Sequence, residues 1–331
     1  MNNRKVIENI EPFNDAYYKY CFFNSLFPII AHFKRDILEF LINDVLVYKD
    51  DEFTKLRFNS DYLPIYSFER MCCGELGIKF DYKKECEDIV THTISSIDKN
   101  RPVIVLVDCF YEKIRPEMYG KIHWFHTLTV YGYDKEIEMF DIIEHQHKDN
   151  LDYKKRKISF NELADSNLGY FRNFHDKIKR EPFFSFYLDE EHNENYIRMN
   201  EDELKDKFKS NMILRKKEIL EGILKLESFG EMLKEIVEDE DKLKEYAEDI
   251  VNITNNIINC KRVEMYKVEN IFPDKYEMSN LINIIIDNWS KIRKIIGKYL
   301  FSEIYKSTNL KKIHELVDDI IDLEQIYVSK I

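Results

Sequence analysis

Three residue types at usable positions suggest nucleophilic catalysis. Cys21 opens the apolar stretch CFFNSLFPIIAHF, which follows the polar, turn-like EPFND. A thiol in the first turn of a helix feels the positive end of the helix dipole, which favours the thiolate, and a neighbouring imidazolium favours it further. Thiolate is the reactive form. Pro28 removes one intrahelical bond and is expected to kink this helix.

The histidine comes from HTLTVYGYDKEIEMFD, which begins at His126 and ends at Asp141 and reads as a β-hairpin. A two-residue turn at Tyr133 and Asp134 sets Val130 opposite Ile137, Leu128 opposite Met139 and His126 opposite Asp141. Opposed Cβ atoms lie ~4.5 to 5.5 Å apart, close enough for a carboxylate to fix the imidazole tautomer. A one-residue bulge would send the two side chains to opposite faces. Other readings stay open. His126 could be a satisfied core histidine, and His123 in KIHWFH could take its place. His145 and His147 of EHQH could ligate a metal with Asp141, although HxH lacks further spaced ligands, and no metal site is expected. Six cysteines (Cys21, Cys72, Cys73, Cys86, Cys109 and Cys260) show no CxxC spacing and read as thiols.

The elements that must position these residues fall into two blocks. Of 331 residues, 44% are hydrophobic and only 8 are Gly and 7 Pro, a composition that forms a core rather than a disordered chain. Length suggests two domains. Helical patterns cover 20–47 and 85–99, whereas PVIVLVDCF, HTLTVYGYD, EIEMFDII and FFSFYLD are short β-rich runs. This segregation predicts an α+β domain over residues 1–198. From about residue 200 apolar residues recur at three and four. Helices are expected over 201–229, 242–262, from Leu281 and from Leu310, the first capped by Asn200 with Glu203. Residues 199–331 are thus expected to form an all-α bundle, which could also close a homodimer.

The net charge of −12 opposes a phosphate-backbone binder, so no nucleic acid partner is expected. No leader-like or membrane-spanning run is found, and a cytoplasmic location is expected. Neither GxGxxG nor a P-loop is present, so no nucleotide cofactor is implied.

Cys21 heading a helix, the later strand RPVIVLVDCFY, then KIHWFHTLTVYGYD and Asp141 together resemble the N-terminal domain family of the butirosin-biosynthesis acyltransferase BtrH. That family is similar to a branch of the papain-like cysteine-peptidase superfamily, which includes double-glycine peptidases and amide-forming homologues. The resemblance covers residues 10–190. It implies a papain-like fold, with an N-terminal helix packed on an antiparallel sheet. It further implies Cys21 as nucleophile, His126 as general base and acid, and Asp141 as the orienting group. An upstream side-chain donor helps form the oxyanion hole in such enzymes; Asn14 could donate, whereas an ionised Asp15 could not.

The activity implied is transfer of an acyl group from the phosphopantetheine arm of a carrier protein, through acyl-Cys21, to a small-molecule amine, in specialised-metabolite biosynthesis. A peptidase or thioesterase would use the same triad, and an inactive binding or immunity module could keep the fold. Carrier proteins are usually acidic. Lys154, Lys155, Arg156 and Lys157 form one candidate docking patch, and Lys177, Lys179 and Arg180 another.

Overall fold

Val103–Asp108 is a run of five apolar residues and one aspartate, and every one of them is buried, as befits the centre of a sheet covered on both faces. The computed structural model describes residues 3–84, 87–146, 151–274 and 276–330. Among them nine strands form: β1 (Arg4–Val6), β2 (Asp44–Lys49), β3 (Asn59–Pro64), β4 (Ile78–Lys83), β5 (Val103–Asp108), β6 (Phe125–Asp134), β7 (Met139–Glu144), β8 (Lys154–Ser159) and β9 (Phe183–Leu188). The chain is α+β, and it divides into two compact units, residues 1–40 with 67–198 and residues 41–66 with 199–331.

In the first unit the strands run β4-β9-β5-β6-β7-β8, with β1 added along β6, and all pairs are antiparallel. Leu128 and Val130 of β6, Val105 and Val107 of β5 and Ile142 of β7 share one core. Ile89 and Ile97 of the helix Ile89–Asp98 and Leu163 of the helix Phe160–Asn173 close it. The expected helix over 85–99 is thus found from Ile89, its first two residues lying outside the described ones.

The helix Cys21–His32 is buried from Cys21 through Ile30 and carries Pro28 without interruption. Its place is fixed by Ser25, whose hydroxyl lies 2.9 Å from the Thr127 hydroxyl and whose carbonyl accepts from Thr129 Oγ1 at 2.7 Å.

The helical pattern expected over 20–47 ends earlier. After Ile37–Leu41 the chain turns into β2, because DVLVYK concentrates β-branched and aromatic residues that suit a pleated surface. β2 and β3 form a hairpin that belongs with the second unit, which corrects two expectations: the first block is not continuous over 1–198, and the second is not all helix. The hairpin backbone approaches the helix Lys216–Glu238 so closely that a Cβ on Gly222 would stand 2.8 Å from the Tyr48 carbonyl oxygen. Only glycine fits there. Long helices Glu201–Leu214, Glu240–Ile271, Tyr276–Ser302 and Lys312–Ser329 complete the unit, and Asn200 and Glu203 form the expected capping box. Inside it Lys261 bridges Glu324 at 2.5 Å while Tyr48 donates to the same carboxylate at 2.6 Å. A buried pair with this extra donor has its remaining lone pairs used.

Candidate active site

Cys21 is the first residue of its helix, and no side chain caps that end. The first N–H groups of a helix have no carbonyl four residues back, so they stay free to bind an anion. Ser25 lies one turn further along the same helical face, and its bonds to Thr127 and Thr129 set Cys21 against the start of β6, where His126 sits. The Cys21 sulfur is within hydrogen-bonding reach of the buried His126 ring. Cys21 and His126, each singled out from its sequence surroundings, thus lie together.

Asp141 is not with them. β6 does not turn at Tyr133 and Asp134. It stays extended through Asp134, held by β1, and the reversal is made by residues 135–138, where the Asp134 carboxylate accepts the Glu136 N–H at 3.0 Å. Asp141 consequently faces Gly132, and a register shift follows between Val130 and Gly132. A Cβ on Gly132 would lie 2.8 Å from Asp141 Oδ2, so glycine makes the room that this carboxylate fills. Its partner is Lys157, at 3.0 Å.

Glu144 stands beside the histidine instead. Thr129 faces Ile143, so Glu144 is diagonal to His126 on the same face of the ribbon, and its Oε1 lies 3.1 Å from His126 Nε2. With Nε2 taken, Nδ1 is the ring atom left for the sulfur. Burial and the Arg115 guanidinium both push the His126 pKa down, but Glu144 and Cys21 outweigh them, and it rises to about 9. The imidazolium is therefore the resting form at neutral pH.

A buried charge network lies behind the histidine. Arg115 Nη2 donates to Glu144 Oε1 at 2.6 Å, and Arg115 Nε lies 3.2 Å from Glu112 Oε2 at an angle that makes no hydrogen bond. Two carboxylates thus share one guanidinium. Burial would raise the pKa of Glu144, yet Arg115, His126 and His145 bring it down to about 2. Burial and the Glu144 charge raise that of Glu112 to about 7. The shared proton belongs to Glu112, and Glu144 carries the negative charge that faces His126.

His145 packs edge-on to His126 with ring centroids 4.9 Å apart, and its Nε2 is 3.7 Å from Glu144 Oε1. The donor atoms of His126, Glu144 and His145 all lie within 4.8 Å of one another, a set that could hold a metal ion. Arg115, 2.6 Å from the same carboxylate oxygen, opposes a divalent cation there. Of the alternative set that sequence offered, Asp141 is elsewhere, and His147 lies outside the described residues.

Asn14 is also placed differently. Its amide donates to the Tyr153 carbonyl at 3.0 Å and accepts the Tyr153 N–H at 2.8 Å, an arrangement that fixes the Tyr153 backbone rather than an oxyanion. The Tyr153 ring lies parallel to His126 with centroids 6.5 Å apart and packs on His145 at 4.5 Å. Its buried hydroxyl has no hydrogen-bond partner among the described residues. His123, the alternative histidine, is held apart from Cys21. Its Nδ1 lies 2.6 Å from Asp108, its ring stacks on Phe110, and Asn173 donates to the same carboxylate at 2.9 Å.

Sequence reasoning missed Glu144, Arg115, Glu112 and Tyr153. Glu144 carries a signal, since it stands next to His145 in EHQH, and a hairpin turn at residues 135–138 aligns it with His126. Glu112 and Arg115 sit in a loop whose composition does not reveal that it is buried.

Of the two basic patches, Lys154, Lys155 and Lys157 are paired with Asp152, Glu11 and Asp141, and Arg156 donates to the Glu144 carbonyl. Arg180 lies over the rings of Tyr20 and Phe22, the residues flanking Cys21, at 4.9 and 4.4 Å from their centroids. No helix among the described residues is long and apolar enough to cross a membrane. No protein-family model matches the chain, and no curated protein matches it.

Proposed function

We propose that the first unit is a cysteine-dependent acyltransferase of papain-like arrangement, forming an amide through an acyl-Cys21 intermediate. The observation that carries this reading is the buried chain Cys21, His126, Glu144, in which a sulfur at a helix N-terminus meets an imidazolium oriented by a carboxylate. The same order of nucleophile, base and orienting acid defines the triad logic of acyl-transfer enzymes.

The Cys21 sulfur, as thiolate, attacks the carbonyl carbon of a thioester. Negative charge gathers on the carbonyl oxygen, where the N–H groups of Cys21 and Phe22 at the head of the helix can receive it, that of Phe23 being taken by the Tyr20 carbonyl. As the tetrahedral centre collapses, the carbon–sulfur bond to the donor breaks and the departing thiolate takes the proton from His126. An amine then attacks the acyl-Cys21 carbonyl, neutral His126 accepts the amine proton, and Cys21 leaves as thiolate. Glu144 stays ionised and holds the ring through both steps. The thioester supplies the leaving group, so no nucleotide is consumed.

The acyl donor in this reading is the phosphopantetheine thioester of an acidic carrier protein. Its docking face is Lys177, Lys179 and Arg180, the patch that reaches the Cys21 end of the helix through Arg180. The reading is tested by giving the full chain a small acyl thioester with and without an added amine, and separating amide from free acid. Amide as the main product, lost in Cys21→Ala, supports the transferase. Free acid at the same rate whatever the amine would make the enzyme a hydrolase.

A further inference from the structure

The second unit holds a cleft that the acyl-transfer reading does not use. It opens among the helices Tyr276–Ser302, Ser307–Leu310 and Lys312–Ser329 and has a volume of about 630 Å³. That is the size range of small-molecule sites, roughly 300 to 1,000 Å³. Two features of its lining point in one chemical direction.

The first is charge. Lys291, Lys294, Lys298, Lys306 and Lys312 line the cleft, against only Glu315 and Asp319. Lys291, Lys294 and Lys298 follow one another at spacings of three and four, so they stand on one face of their helix. Lys291 donates to Asn288 at 3.1 Å, and the other four side chains make no ion pair or hydrogen bond among the described residues. A chain of net charge −12 has thus gathered unpaired cations at one concave place. Like charges at helical spacing repel and cost stability, and a bound anion offsets that cost.

The second is the apolar wall. Ile295, Leu310 and Leu316 share the lining with the lysines, and Tyr299, which also lines the cleft, is buried. No exposed aromatic face is offered for a base to stack on. A long apolar chain fits such a wall, and the ammonium groups suit the head.

We propose that this cleft binds a single-chain amphiphile with an anionic phosphate or carboxylate head, the chain lying against Ile295, Leu310 and Leu316 and the head among the lysines. The proposal is independent of Cys21.

Calorimetry on the full chain tests it, with dodecyl phosphate below its micelle concentration as probe and inorganic phosphate, dodecanol and dodecyltrimethylammonium as comparisons. Saturable one-to-one binding of dodecyl phosphate is expected, at least tenfold tighter than phosphate or dodecanol, with none for the cationic analogue. Lys294→Gln with Lys298→Gln should weaken it at least tenfold while leaving the unfolding temperature and circular dichroism of the chain unchanged. Leu316→Ser should weaken dodecyl phosphate and leave inorganic phosphate as it was, which separates an amphiphile site from a plain anion site. Equal affinity for phosphate and dodecyl phosphate overturns the proposal, as does binding to phosphatidylglycerol vesicles without binding to the monomeric probe. Affinity that the double lysine variant retains, in folded protein, also overturns it.

Discussion

His126 Nε2 and Glu144 Oε1 lie 3.1 Å apart in a buried setting, and Arg115 donates to the same oxygen at 2.6 Å. The carboxylate is therefore shared between a histidine facing the sulfur and an arginine facing the interior. Glu144 holds the ring in place and keeps it charged. Glu144→Gln removes the charge but keeps the shape. We expect the His126 pKa to fall from about 9 toward the ordinary histidine range, read from its imidazole carbon resonances. Acylation of Cys21 should slow by roughly a hundredfold or more, as when the acid of a triad becomes an amide. Asp141→Asn should leave acylation within about threefold, because that carboxylate pairs with Lys157.

The pH profile follows from the same shift. In the proposed transfer His126 is protonated when it releases the donor thiol, and its pKa is raised to about 9, so acylation should hold through neutral pH and fall as pH rises through about 9. In Glu144→Gln this alkaline limb should move to lower pH. Stopped-flow release of a chromogenic thiol measures it, and a limb that stays in place would contradict the assigned ion pair.

Glu112 predicts a stability effect with a definite sign. Its folded pKa is raised to about 7, above the ordinary 4.5, so folding favours the protonated acid. Between pH 4.5 and 7 the unfolded state loses its proton first, and the native state becomes less stable as pH rises. His126 acts in the same direction, since its raised pKa adds stability below 6.5 that is lost as pH climbs through about 9. Glu112→Gln should therefore be more stable than the parent by about 1 to 3 kcal/mol at pH 8 and nearly equal at pH 4, measured by urea unfolding.

The two histidines of KIHWFH should separate cleanly. His126→Ala should abolish acylation, whereas His123→Ala, which breaks the contact with Asp108, should retain most of it. Initial rates with a small thioester decide this.

Docking and chemistry should also separate. Lys177→Glu with Lys179→Glu reverses two charges beside Arg180, so KM for a carrier-bound donor should rise at least fivefold while kcat/KM for a small thioester stays unchanged. Equal effects on both donors would place these residues outside carrier recognition.

Much of the fold was legible because it is written in periodicity. The runs PVIVLVDCF, HTLTVYGYD and FFSFYLD are strands β5, β6 and β9, and the helical stripes after residue 200 are helices. β2 reads as part of a helix because DVLVYK follows a helical stretch without a break, and its hairpin is held by the close approach of Tyr48 to Gly222, a tertiary contact that no local pattern carries. β8 reads as a basic patch, since KKRKIS has only one buried apolar side chain and its lysines face solvent at the sheet edge. In the site, Cys21 and His126 could be paired from their surroundings. The acid could not, because the position of a turn decides which residue crosses the ribbon, and an Asx contact at Asp134 together with β1 set that turn several residues later than symmetry suggested.

The most direct test asks which atom carries the acyl group. The full chain is treated with one equivalent of a slowly released acyl thioester, quenched in acid, digested and mapped by mass spectrometry. A thioester adduct on the peptide containing Cys21, absent from His126→Ala, is expected. An adduct on Cys72, Cys73 or a lysine, or one on Cys21 that forms equally fast without His126, would contradict it.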